Sequence, residues 1–256
     1  MSNPRIYQKS VFTLNEVVKL SDDAFGHLIR VLRLKVDDHL VLFNGEEAVQ
    51  YQAKLVEVNK KHASVEILSE EIISNESPLN IHLGQGVSRG DRMDFTLQKS
   101  VELGVNTITP LFTERCGVKL NGERLAKKHQ QWQKIVISAC EQSGRCIVPI
   151  VRQPLLLSEW LLEQTQALKI NLHPKAQHSI INLPIDGHEV SDNTNDKEGQ
   201  HVRLLIGPEG GLTDEEINQA NKANFQDVLL GPRVLRTETA ALTAITALQC
   251  RFGDLQ

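Results

Sequence analysis

The sequence predicts an α/β protein in two parts: a small β-barrel over residues 1–72, then a doubly wound, mostly parallel sheet covered by helices over residues 73–256. Three observations carry this. Short strand-like runs joined by tight turns fill the first part, as in small barrels. Strand-like and helix-like runs alternate through the second, the pattern of parallel sheets with helical crossovers. Between them lies Ile73-Ser74-Asn75-Glu76-Ser77-Pro78, a polar connector with a helix-breaking proline.

In the first part, His39-Leu40-Val41-Leu42-Phe43 reads as a strand and Asn44-Gly45 as the turn after it. Val49, Tyr51, Ala53 and Leu55 alternate with polar residues, as one buried face of a strand does. Asn59-Lys60-Lys61-His62 makes the next turn, and Ser64 to Leu68 another strand. In the second part the expected strands are Ile81–Val87, Thr107–Phe112, Leu168–Leu172, Val202–Ile206 and Val228–Leu230. Helices are expected over Asp91–Leu103, with Gly104 as its stop, over Glu123–Gln142, and after Thr237. Thr213-Asp214-Glu215-Glu216 has the form of a capping box that opens one more helix. The polar stretch 186–200 is expected to be an exposed loop.

Composition narrows the function. A chain of 256 residues with 40 % hydrophobic and 23 % charged residues can bury a core without disulfides. Cys116, Cys140, Cys146 and Cys250 form no C-x-x-C pair, so neither a disulfide framework nor a metal site is expected. No run approaches the ~18 apolar residues of a membrane span, and no signal-like segment opens the chain; a cytoplasmic protein with no membrane partner is expected. The net charge of −4 argues at first against a nucleic-acid partner. From Asn80 to Ile147, however, ten Lys or Arg stand against six Asp or Glu. A basic region in an acidic chain suits a polyanion, although a solvated helix face has the same composition.

Parallel sheets bind ligands where the carboxyl ends of their strands meet loops. Three such ends carry unusual sequence: Leu172-His173-Pro174, Gly207-Pro208-Glu209-Gly210-Gly211, and Leu230 to Thr237 with Gly231, Arg233, Leu235 and Arg236. Glycines admit a ligand to bare backbone, though a tight turn with no ligand also uses them. Arg233, Arg236 and Glu238 crowd a short connector whose turn geometry does not call for them; salt bridges to Glu209 or Glu238 are the plain alternative. Gly84-Gln85-Gly86 before Arg89-Gly90 is a near miss for a dinucleotide fingerprint, with its third glycine one position late. Taken at face value it would make a nucleotide-dependent oxidoreductase, but Arg89 and Arg92 read better as phosphate contacts at a helix start.

The two loops, Leu205 to Thr213 and Leu230 to Ala240, resemble the paired signature of the bacterial 16S ribosomal RNA uracil-N3 methyltransferases, the RsmE family of the SPOUT superfamily. His27-Leu28-Ile29-Arg30-Val31-Leu32-Arg33 resembles that family's PUA-like RNA-binding domain. Gln98 to Gly104, Glu114 to Lys119 and Ala139 to Arg145 are similar as well, so the likeness spans nearly the whole chain. It implies a C-terminal domain with a deep trefoil knot, which no periodicity shows. It also implies S-adenosylmethionine as cofactor, bound by Leu172, His173, Gly207, Pro208, Glu209, Gly210, Gly211, Leu230, Gly231, Leu235, Arg236 and Thr237. A homodimer and 16S RNA of the small ribosomal subunit are the implied partners.

Uracil N3 carries a proton, so methylation needs a base and a cation to stabilise the anion. Arg236 is the expected stabiliser; Glu209, Glu238 and His173 are the candidate bases. Arg30, Arg33, Lys35, Arg89, Arg92, Arg115, Lys119 and Arg233 are expected to grip RNA. Two further alternatives are another SPOUT methyltransferase, acting on transfer RNA or a ribose hydroxyl, and a non-catalytic ribosome-assembly factor.

Overall fold

The computed structural model describes residues 3–173, 176–183 and 200–255. Apart from Gln200, the expected polar loop 186–200 lies outside the described residues. The chain divides into two compact units, Met1–Glu76 with Ile137–Val148, and Ser77–Val136 with Pro149–Gln256.

The first unit is built on strands β1 (Arg5–Tyr7), β2 (Val17–Lys19), β3 (His39–Phe43), β4 (Val49–Val58) and β5 (Ala63–Ile72). They form one sheet in the order β1-β3-β4-β5-β2. The first pair is parallel and the rest antiparallel. Gly45, at φ +84, makes the turn after β3, and the Asn44 side chain accepts the Glu46 and Glu47 N–H groups across it. The sheet's two edge strands are joined by a buried side chain: Gln8 donates to the Lys19 carbonyl and accepts from Ser21 N–H. Leu40, Leu42, Ala53, Leu55, Val65 and Ile67 share one core cluster, the inward half of the period-2 pattern. Between β2 and β3 the chain is helical. Helix α1 (Asp22–Phe25), capped by Ser21, passes into a wide π turn over Gly26–Val31. The segment leaves through Arg33 at φ +58, a left-handed conformation rare for a side-chain-bearing residue. This segment holds the motif that resembled an RNA-binding domain, and it exposes Arg30, Arg33 and Lys35.

In the second unit, β6 (Asn80–Gly86), α2 (Asp91–Glu102) and β7 (Thr107–Phe112) come first. Then follow α3 (Gly122–Ser143), β8 (Ile150–Val151), β9 (Leu155–Leu156), α4 (Leu157–Leu161), β10 (Leu168–Leu172), β11 (His178–Ser179) and β12 (His201–Ile206). The last elements are α5 (Asp214–Lys222), β13 (Gln226–Leu229) and α6 (Thr237–Phe252). Helix α3 runs on into the first unit from Ile137. The sheet order is β11-β13-β10-β12-β6-β7-β8, with β9 also on β7, and every pairing is parallel. Both faces are covered, as parallel sheets require. Leu205 joins Trp160, Leu161, Ala220 and Phe225 in a cluster under α4 and α5. Its equally buried neighbours Leu204 and Ile206 point to the other face by strand periodicity. The expected strand Val228–Leu230 is set back to Gln226–Leu229, which leaves Leu230 in the following loop.

The near-miss fingerprint has a packing explanation. A Cβ on Gly84 would lie 2.5 Å from the Trp160 ring, and one on Gly86 would lie 2.5 Å from Pro208 N. These glycines are bare because an indole and a loop press on the strand, not because a dinucleotide does.

Candidate active site

Strands β13, β10 and β12 lie side by side and parallel, so their carboxyl ends open at one place. A cleft of about 610 Å³ sits there. Its walls are Leu172 at the end of β10 and His173 after it, the loop 207–212 after β12, and the loop 230–236 with Thr237 at the start of α6; Arg92 and Arg115 stand at its side.

The glycine loop is fixed from several directions. Thr237 Oγ1 donates to the Gly207 carbonyl at 2.6 Å, and buried Gln85 donates to Thr237 Oγ1 at 3.0 Å. Pro208 lies against Gly86. Glu209 Oε1 accepts from Arg89 N–H at 2.9 Å and from Arg92 Nη1 at 3.3 Å. Arg115 Nη1 donates to the carbonyls of Gly210 and Leu212, each at 3.3 Å. Beyond the loop, Thr213 and Glu216 form the expected capping box. The same Glu216 carboxylate also accepts Glu114 N–H at 2.8 Å, which ties the end of β7 to α5.

Gly211 and Gly231 are open instead. Both have positive φ, +68 and +84, and no atom lies within 4 Å of where a Cβ would stand on either. A ligand in the cleft can therefore meet bare backbone. Arg233 and Arg236 are exposed, and among the described residues neither makes an ion pair. The plain alternative, salt bridging to Glu209 or Glu238, does not occur among the described residues; Glu209 pairs with Arg92.

An RNA methyltransferase domain model matches residues 75–249, and an RNA methyltransferase PUA domain model matches residues 20–68. A ribosomal RNA small subunit methyltransferase E from Buchnera aphidicola (subspecies Schizaphis graminum) is 41 % identical over 98 % of each chain. The chain belongs to the ribosomal RNA small subunit methyltransferase E family. The enzyme of that name from Rickettsia conorii is 30 % identical, over 97 % of this chain and 96 % of its own. The crystal structure of the Neisseria gonorrhoeae methyltransferase E bound to S-adenosyl methionine superposes with a TM-score of 0.88, at 41 % identity and full coverage of both chains.

Within this methyltransferase fold, all twelve residues expected to hold the cofactor line one cleft. Of the residues expected to grip RNA, Arg92, Arg115 and Arg233 line it too; Arg89 and Lys119 do not. Arg89 uses its Nε on the Gly117 carbonyl at 3.0 Å. Of the candidate bases, His173 and Glu209 line the cleft and Glu238 does not. His173 Nδ1 stands 3.9 Å from Asp227 Oδ2, while Asn171 and Asn221 hold the same carboxylate. Sequence reading missed Ile206, Leu212, Ile217 and Val228 as lining residues; they carry no chemical signal beyond being apolar. It also missed Gln85, which lay inside the decoy motif and whose full burial only the fold reveals.

Away from the cleft the ionisable groups are occupied with structure. Burial, with Arg203 and Arg152 adding to it, pushes the His82 imidazole down to about 4. Burial pushes the Cys140 thiol up to about 12, which makes it unreactive. Among the described residues no cluster suits a metal ion, and no helix is long and apolar enough to cross a membrane.

Proposed function

We propose that this enzyme methylates N3 of uridine U1498 in 16S RNA of the small ribosomal subunit, using S-adenosylmethionine, in the cytoplasm and as a homodimer. One observation supports this above the others: a glycine cradle with open backbone and two unpaired arginines, Arg233 and Arg236, border the same cleft. The fit to the cofactor is good. About 610 Å³ is ample for a molecule of that size, and Gly211 and Gly231 leave space for it where any other residue would place a side chain.

The bound cofactor supplies a methyl group on a positively charged sulfur. The enzyme's own part is alignment, which is worth ~7–11 kcal/mol in well-oriented reactions. The loops at Leu172, Gly207–Gly211 and Leu230–Leu235 provide it through backbone groups. Arg236 offsets the charge left on the uracil ring when N3 loses its proton. We assign acceptance of that proton to His173, a choice supported by its lining the cleft with Nδ1 3.9 Å from Asp227 Oδ2. N3 lies on the pairing edge of the base, so the uridine must arrive unpaired or flipped out. Arg30, Arg33 and Lys35 in residues 1–72, with Arg115, Lys119 and Arg233 in residues 73–256, supply phosphate contacts. A deep knot in the second domain is consistent with the strand order: β13 lies beyond β10 from β12, yet α6 returns to pack on α2 and β12.

Labelled S-adenosylmethionine and small subunits lacking the modification test the proposal. Label recovered as 3-methyluridine at U1498 is the expected result. Label in another nucleoside, or in transfer RNA alone, refutes the assigned target. No transfer, with cofactor still bound, leaves an RNA-binding assembly factor as the better description.

A further inference from the structure

We infer that Glu209 is a positioning residue that clamps the glycine loop to the start of α2, and is not the proton acceptor. The inference rests on the reading of the cleft as a cofactor site. Glu209 is the acid most naturally suspected of base chemistry, because it sits in the middle of the loop and lines the cleft. Its geometry points elsewhere. A single oxygen, Oε1, takes both Arg89 N–H at 2.9 Å and Arg92 Nη1 at 3.3 Å. Charge-assisted bonds of this kind are roughly twice as strong as neutral ones, so protonating the carboxylate, even at its other oxygen, would weaken both contacts.

The two donors also lie 117 and 120 positions away in the chain, at the junction of β6 and α2. The other fastenings act on the loop from Thr237, Gly86 and Arg115. Among the described residues, Glu209 is the loop residue whose side chain reaches back to residues 89–92. Without it, the turn closed by Gly211 N–H on the Pro208 carbonyl, at 2.9 Å, would lose its anchor on that side. The same geometry gives the Arg92 guanidinium to the support of the cofactor loop, while Arg89 contributes its backbone N–H and holds the Gly117 carbonyl with its side chain.

The test compares wild type, Glu209→Gln, Glu209→Ala, Arg92→Ala and the Glu209→Ala/Arg92→Ala pair, each checked for folding by its melting temperature. S-adenosylhomocysteine affinity is measured by calorimetry, Gly211 amide exchange without ligand, and methyl transfer against pH. A clamp predicts that Glu209→Ala weakens ligand binding ~10-fold or more, the scale of a lost charged hydrogen bond. It predicts faster exchange at Gly211. The pair should lose little more than either single variant, as residues in one interaction do. Glu209→Gln keeps an acceptor for Arg89 N–H, so it should fall between wild type and Glu209→Ala while keeping the shape of the pH profile. Ligand affinity retained in Glu209→Gln, with turnover down ~10²-fold or more, would make the residue the base and overturn the inference. Unchanged exchange at Gly211 in Glu209→Ala would overturn it as well. If wild type itself fails to bind S-adenosylhomocysteine, the cofactor reading falls and takes the inference with it; the other adverse results sink the inference alone.

Discussion

The loop 207–212 is fastened at almost every residue, whereas the side chains of Arg233, Val234 and Arg236 in the loop 230–236 make no hydrogen bond or ion pair among the described residues. Both border one cleft, and both follow strands of one parallel sheet. Val234 is 89 % exposed and lies between the two arginines. Fastening removes conformational freedom before a ligand arrives, so less entropy is lost on binding. Leaving side chains free keeps them available to a partner not yet there. Under the proposed function the contrast divides the labour: the first loop offers a small ligand preset backbone, and the second adds to its own backbone two exposed cations, Arg233 and Arg236, for the larger substrate.

The sharpest way to break this division is Arg236→Ala. If the second loop serves chemistry, methyl transfer falls by at least ~10²-fold, the usual scale for removing a group that stabilises transition-state charge. Cofactor affinity should change far less. Steady-state kinetics beside calorimetric binding separate the two. An equal loss in both would show that Arg236 belongs with the first loop, and the division would collapse.

The first loop is best probed by filling the space it leans on. In Gly86→Ala the new methyl would stand 2.5 Å from Pro208 N, a backbone atom that cannot swing aside. Overpacking of this kind costs ~1–3 kcal/mol. Cofactor affinity is expected to fall ~10-fold, with a lowered melting temperature. Wild-type affinity in this variant would mean that the glycine loop tolerates displacement and that its fastening is incidental.

Much of this division can be read in the residues themselves. Two arginines in a short connector before an apolar helix are a choice that turn geometry does not require, whereas three glycines and a proline after one strand suit a ligand site or a tight turn alike. Thr213 and Glu216 announce their capping box within four residues. The fastenings are harder to see, because each joins residues far apart in sequence. Arg115 and Gly210 are separated by 95 positions, and Gln85 and Thr237 by 152. The chain alone does not reveal that Arg115 also holds the loop, since a carbonyl acceptor leaves no trace in composition. Strands of two or three residues, such as β1, β8 and β11, are also silent, being too short to show a period.

The smallest expected effect is that of Arg233→Ala, and it tests the free side of the comparison most directly. Arg233 is exposed and unpaired among the described residues, so its removal breaks no internal bond and should leave the melting temperature near that of wild type. If the side chain meets a phosphate, RNA affinity falls a few-fold at low salt, and the slope of log affinity against log salt drops by ~1. Filter binding to small-subunit RNA across a salt series reads both quantities. A weakened affinity with an unchanged slope would point to a contact with a base or sugar. An unchanged affinity would leave Arg236 as the second loop's one working cation, and its exposure would then serve chemistry rather than capture.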